Sequence, residues 1–138
     1  MTGPYLLDTN IISDNIRNPR GVAARRARQV GNSQLCTSII VAAELRYGVA
    51  KTRSRQLSTK VAETLEGLEV VPLEPPIDEV YAQLRVELER CGNLIGPNDL
   101  LIAAQAIALG LTLVTDNERE FSRVPGLKIE NWLRPLSN

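Results

Sequence analysis

Four short, mainly apolar runs recur along the chain, Tyr5-Leu6-Leu7, Leu35-Cys36-Thr37, residues 68–73 and residues 111–114, the last of them without alternation. Strands that read as continuous apolar runs are buried on both faces, and the return to a parallel neighbour needs a crossover, usually a helix. Segments with helical spacing separate these runs. Thr9-Asn10 opens one through Ile11, Ile12 and Ile16, broken by Asn18-Pro19; an Arg-rich one over 21–30 stops before Gly31-Asn32. A third, capped by Thr37 or Ser38, runs to Gly48, and Arg55–Glu66 is closed by Gly67. A long one opens at Pro76, carries Val80, Leu84 and Leu88 and stops at Gly92, and Pro97-Asn98-Asp99 opens the last, which ends at Gly110. The alternation predicts an α/β fold, a short central parallel sheet flanked by helices on both faces. At 138 residues, without repeats or linkers, it reads as a single domain over 1–138.

Composition then removes most chemistries. Histidine is absent, which excludes Ser-His-Asp and Cys-His nucleophiles, His acid/base pairs and His-ligated zinc. Cys36 and Cys91 sit in no CxxC pattern and are too few for a zinc cluster, so they read as reduced thiols of a cytoplasmic protein. The first residues lack a basic region followed by an apolar stretch. The longest apolar segment, 100–115, is broken by Gln105 and Gly110 and falls short of the ~20 residues of a membrane span. The expected location is the cytoplasm, with no membrane association.

Charge sums to zero, 16 basic against 16 acidic residues, but residues 1–60 hold ten Lys/Arg against three Asp/Glu, and the rest of the chain reverses the excess. Arg17, Arg25, Arg26, Arg28 and Lys51 are the candidate phosphate contacts of a bound nucleic acid. The alternative is a solvated face paired with the acidic half. Aromatics are 4% of the chain, too few for a base-stacking platform, so an RNA partner is held by its phosphates.

Four acidic residues lie at the ends of elements or inside an apolar run: Asp8 after the first strand, Glu44 within Ile39-Ile40-Val41-Ala42-Ala43-Glu44-Leu45, Asp99 at a helix start and Asp116 after a strand. Each has an ordinary reading: helix capping for Asp8 or Thr9, dipole-favoured placement for Asp99, a turn for Asp116-Asn117, and an ion pair with Arg46 or Lys51 for Glu44. In open α/β sheets, however, the ligand crevice lies at the carboxyl ends of the strands, where Asp8 and Asp116 converge. Carboxylates gathered there repel one another unless a cation intervenes. Oxygen ligands without His or Cys select Mg²⁺ or Mn²⁺, ions suited to phosphoryl and phosphodiester chemistry.

Leu6-Leu7-Asp8-Thr9-Asn10, Ser38 with Glu44-Leu45-Arg46-Tyr47-Gly48, Asn98-Asp99-Leu100-Leu101-Ile102-Ala103-Ala104, and Leu113-Val114-Thr115-Asp116-Asn117 with Phe121 together resemble the PIN-domain ribonucleases. More closely they resemble the VapC toxins of bacterial toxin–antitoxin pairs, and Val124-Pro125-Gly126-Leu127 with Glu130-Asn131-Trp132 is similar to the tail of the transfer-RNA-cutting subgroup. The resemblance implies a PIN-like three-layer sandwich and a Mg²⁺- or Mn²⁺-dependent endoribonuclease acting on RNA, with transfer RNA the favoured substrate class. It also implies a cognate antitoxin and assembly as a homodimer or a larger complex. Asp8, Glu44 and Asp99 match the family's three acidic positions and become the expected catalytic and metal-holding residues. At the fourth position Asn117 fits the pattern, Asp116 is adjacent and Glu120 stands one turn later; Asp116 and Asn117 are expected to share that role through a bound water, and one or two metals remain open. Thr9, Asn10, Ser38, Thr115 and Glu120 are expected to orient the carboxylates through hydrogen bonds. Two other classes stand beside this one, a Mg²⁺-dependent phosphatase and a non-catalytic nucleic-acid-binding module. The first usually pairs its aspartyl nucleophile with a second Asp two residues on, where this chain has Asn10.

Overall fold

The computed structural model describes residues 3–134. Its strands are β1 (Tyr5–Leu7), β2 (Leu35–Ser38), β3 (Glu69–Val71), β4 (Thr112–Val114) and β5 (Lys128–Glu130), all parallel and ordered β3-β2-β1-β4-β5. The helices are α1 (Thr9–Arg17), α2 (Val22–Val30), α3 (Ile39–Thr52), α4 (Arg55–Glu66), α5 (Ile77–Arg90), α6 (Pro97–Leu109) and the single turn α7 (Glu118–Phe121).

Strand β1 is central because it is apolar on both faces. Leu6 and Leu7 point to opposite sides of the sheet, yet are 0% and 1% exposed, so helices cover both sides. Leu6 lies in register with Cys36 of β2 and Leu113 of β4. Helix α6 contributes a buried face of Ile102, Ala103, Ala104 and Ala106, whose small side chains let it pack closely. Each buried Leu or Ile of this core contributes about 1.5–3 kcal/mol relative to exposure. Two buried polar side chains tie elements together: the Thr37 hydroxyl donates to the Leu7 carbonyl at 2.7 Å, and Gln105 Nε2 donates to the Val71 and Pro72 carbonyls.

The structure departs from the sequence expectation at four places. Helix α3 does not end at Gly48 but continues to Thr52, because Val49 returns to the core and Arg53 takes the left-handed position that closes the helix. Strand β3 is confined to Glu69–Val71, since Pro72 has no N–H for the ladder. The last strand before residue 115 begins at Thr112 instead of 111, after Gly110 in the left-handed conformation has stopped α6. Strand β5 and α7 carried no signal: β5 is a three-residue edge strand with Ile129 as its one apolar residue, and α7 is four residues long.

Candidate active site

The chain runs outward from β1 through β2 to β3, then returns to place β4 on the other side of β1. That reversal opens a crevice at the carboxyl ends of β1 and β4. Asp8, the residue after β1, caps α1 and is buried, 4% exposed. Its Oδ1 accepts the Thr9 N–H at 2.8 Å, and its Oδ2 accepts the Thr115 hydroxyl at 2.7 Å and Asn10 Nδ2 at 3.4 Å. Capping and convergence on the crevice are therefore one arrangement. Burial raises the Asp8 pKa against the opposing pull of these donors, with the Glu44 charge adding to the rise.

Glu44 comes from the middle of α3, half-buried, and its Oε1 accepts the Thr9 hydroxyl at 2.8 Å. Asp99 stands in the first turn of α6. Burial, a hydrogen bond shared with Glu120 and the charges of Glu120, Asp8 and Glu44 push its carboxyl up to about 8. Glu120 moves the other way: the Asp99 hydrogen bond holds it below the usual glutamate value. The two carboxyls titrate as a pair sharing one hydrogen bond, with the pull toward protonation on the Asp99 side. Among the described residues no Lys or Arg pairs with Asp8, Glu44 or Asp99.

The remaining expected residues separate clearly. Glu120 is anchored at both oxygens, Oε1 accepting the Gly96 N–H and Oε2 accepting Asn117 Nδ2, each at 2.7 Å. It is Glu120, brought by α7, that stands against Asp99, while Asn117 reaches the acids indirectly, its side chain through Glu120 and its N–H through the Thr115 hydroxyl at 3.0 Å. Asp116 is exposed and its Oδ1 accepts Asn131 Nδ2 at 2.9 Å. Only the Asp116 backbone contributes, donating to Asn10 Oδ1 at 2.9 Å. The Ser38 hydroxyl caps α3 through Ile40 N–H and touches none of the acids. Lys51 lies over the Tyr47 ring, its ammonium 4.7 Å from the centroid, and Arg28 donates to the Pro19 carbonyl. Sequence reasoning missed the Gly96 N–H; its signal is the Gly96-Pro97 pair, which leaves that donor free ahead of the helix.

The donors facing the crevice are all oxygens. As the side chains stand, no three of the described Asp, Glu or Cys residues form a cage for an ion. Oxygen donors suit a hard ion such as Mg²⁺ or Mn²⁺.

The PIN domain family model matches residues 5–127. Over 130 residues, 93% of this chain and 97% of the relative, the chain is 42% identical to ribonuclease VapC2 of Rickettsia felis. The chain belongs to the VapC family of PIN-domain ribonucleases. It is 37% identical to the tRNA(fMet)-specific endonuclease VapC of Salmonella typhimurium over 93% of this chain and 97% of that one. Among solved structures, VapBC2 of Rickettsia felis bound to a promoter DNA fragment superposes with a TM-score of 0.86 at 40% identity, covering 93% and 98% of the two chains. DNA-bound VapBC of Salmonella typhimurium gives 0.84 at 36% identity, covering 96% and 99%. The PIN-like α/β architecture expected from the sequence is thus the observed one. Among the described residues no helix is long and apolar enough to cross a membrane.

Proposed function

We propose that this PIN-domain ribonuclease is the toxin of a toxin–antitoxin pair, an endoribonuclease that uses Mg²⁺ or Mn²⁺ to hydrolyse a phosphodiester bond of a transfer RNA. The observation that carries this reading is the convergence of Asp8, Glu44 and Asp99, from three different elements, on one crevice where no Lys or Arg among the described residues pairs with them. PIN-domain nucleases generally use a divalent metal, and the oxygen-only donor set suits a hard ion. When bound, such an ion supplies charge that offsets the negative charge developing around phosphorus and activates a water for in-line attack.

The chain's own residues prepare the site for it. Thr115 and the Thr9 N–H fix both oxygens of Asp8, and the Thr9 hydroxyl fixes Glu44. Glu120, braced by Gly96 and Asn117, orients Asp99 and takes the hydrogen bond from its proton. Asp8, Glu44 and Asp99 would hold the ion, and Asp99 would release its proton to solvent in doing so. Transfer RNA as substrate is supported by the name of the Salmonella typhimurium relative, and a partner by the solved VapBC complexes.

A cavity of about 340 Å³ between α1, α3 and α4 supports the partner independently. Ile16, Leu45, Leu57 and Val61 give it an apolar wall, and it opens beside Thr9 and Glu44. An amphipathic helix of the antitoxin fits such a wall, with an Arg or Lys reaching the acidic residues.

The test is cleavage of transfer RNA and of an unrelated RNA by the purified, partner-free chain with Mg²⁺, Mn²⁺ or EDTA. The expected result is metal-dependent cutting of transfer RNA, stopped by EDTA, without 2′,3′-cyclic phosphate ends because water and not the ribose 2′-hydroxyl is the nucleophile. Hydrolysis of small phosphoesters without RNA cleavage, or cutting that EDTA leaves unchanged, overturns it.

A further inference from the structure

Three surface cavities are joined by shared residues into one track leading away from the acidic crevice. Arg17 lines both the cavity beside Thr9 and Glu44 and a neighbouring one of about 480 Å³ that also contains Arg20. Val22 lines that second cavity and a third of about 520 Å³ walled by Arg25, Arg26, Gln29, Asn131 and Arg134. The third cavity lies at the same sheet edge as the acids. Thr115, whose hydroxyl holds Asp8, is bonded through its N–H to the Glu130 carbonyl, and Asn131 and Trp132 follow directly.

This end of the track is built. The Arg26 guanidinium sits 5.7 Å from the centre of the Trp132 ring and 3.9 Å from Glu130 Oε1. The same Glu130 oxygen accepts the indole N–H of Trp132 at 3.0 Å, and Tyr5 packs edge-on against the indole at 5.2 Å. The indole is only 4% exposed, so it serves as a backing that holds Arg26 and offers no face for a base to stack on. Arg134 is fixed by Glu118 at 3.0 Å, a residue Asn131 also contacts. Arg17, Arg20 and Arg25 are exposed and have no charged or hydrogen-bonding side-chain partner among the described residues. Guanidinium groups held in place along a groove, with others left uncompensated, present the paired N–H donors that phosphate oxygens accept.

We propose that this track, ending in the Arg25–Arg26–Arg134 cavity, is a subsite for the backbone phosphates of the RNA strand outside the scissile bond. The inference rests on the RNA-cleaving reading above and assigns the strand a direction of exit. It also divides the basic residues: Arg17, Arg25 and Arg26 lie on the track, whereas Lys51 and Arg28 are engaged elsewhere.

The test is fluorescence anisotropy with the full chain in EDTA, using a labelled unstructured RNA of about 20 nucleotides and one of about four. A single-stranded RNA contributes roughly −0.7 to the salt slope of log affinity for each phosphate neutralised. Arg25→Ala and Arg134→Ala, both at exposed side chains, are each expected to weaken binding of the long RNA roughly threefold or more and to reduce its salt slope by about that amount. Arg85→Ala, which removes an exposed, ion-paired arginine of α5 that lines none of the three cavities, is expected to stay within about twofold of the unaltered chain. The short RNA should show the smaller salt slope. The proposal is overturned if the Arg25→Ala/Arg134→Ala pair binds the long RNA like the unaltered chain, or loses no more than Arg85→Ala. It is equally overturned if the pair keeps RNA binding but loses its co-encoded protein partner. An unaltered chain that neither binds nor cuts any RNA is a different outcome, the failure of the ribonuclease reading itself.

Discussion

The hydroxyl of Thr115 donates to Asp8 Oδ2 at 2.7 Å across 107 positions of sequence. This bond joins the carboxyl ends of β1 and β4 at the point where the sheet order reverses, and it also aims the buried carboxylate into the crevice. Thr115 is itself fully buried, so its hydroxyl has no water to turn to.

Thr115→Val keeps the shape and removes the donor. The bond lowers the Asp8 pKa, so its loss should move the acidic limb of the pH–rate profile to higher pH and reduce cleavage roughly ten- to a hundredfold. Stability should fall by about 1–3 kcal/mol, the effect of leaving a buried acceptor short of a partner. Thr115→Ser should restore the profile. A profile with an unchanged acidic limb in Thr115→Val would remove the orienting role.

Asp99 makes the stability of the metal-free protein depend on pH. Its folded-state pKa is raised to about 8 from 3.8, so its contribution to stability is complete below about pH 4 and is lost as pH rises through about 8. In EDTA the melting temperature should therefore fall between pH 6 and pH 8.5, and Asp99→Asn should flatten that decline. Because the proton must leave when a cation binds, stabilisation by Mg²⁺ should grow over the same interval. Thermal melts at several pH values, with and without Mg²⁺, read both effects.

The residues after β4 divide by what they touch. Glu120→Gln weakens the charge-assisted bond to Asp99 and should reduce cleavage at least tenfold, whereas Asp116→Asn, on an exposed side chain bonded to Asn131, should stay within about threefold. Steady-state kinetics on one RNA compares them. Equal losses would return Asp116 to the site.

The amino-acid sequence made much of this legible, for identifiable reasons. Leu6 and Leu7 as adjacent apolar residues fixed a strand buried on both faces, and Gly110 marked the end of α6 where the backbone turns left-handed. Asp8, Glu44 and Asp99 stood out because a carboxylate at a strand end or within an apolar run needs a reason to be there. The fourth acid was harder to read. Asp116 directly follows a strand, but Thr115 takes the inward position and Asp116 turns outward, a choice of side-chain direction that no spacing reveals. Glu120 enters through α7, a single helical turn too short to leave a periodic pattern. The basic residues were visible as a cluster in sequence, but only the shared walls of three cavities separate Arg17, Arg25 and Arg26 from Arg28 and Lys51.

The antitoxin should compete with the metal. If its basic residue enters among Asp8, Glu44 and Asp99, inhibition should weaken when that residue is replaced, and raised Mg²⁺ should partly relieve it. Titrating the co-encoded partner against cleavage at low and high Mg²⁺ measures this. A partner that binds tightly and leaves cleavage untouched would contradict occlusion of the site.

If Asp8, Glu44 and Asp99 form one metal-dependent site for RNA hydrolysis, losing one of them stops cleavage. The cleavage rate of a transfer RNA by purified, partner-free Asp99→Ala is compared with that of the unaltered chain in Mg²⁺. Each preparation is first melted in EDTA at pH 8.5. Cleavage should be abolished while the variant remains folded and melts at or above the temperature of the unaltered chain, because carboxylate repulsion has been released. A folded Asp99→Ala that keeps most of its Mg²⁺-dependent activity would contradict it.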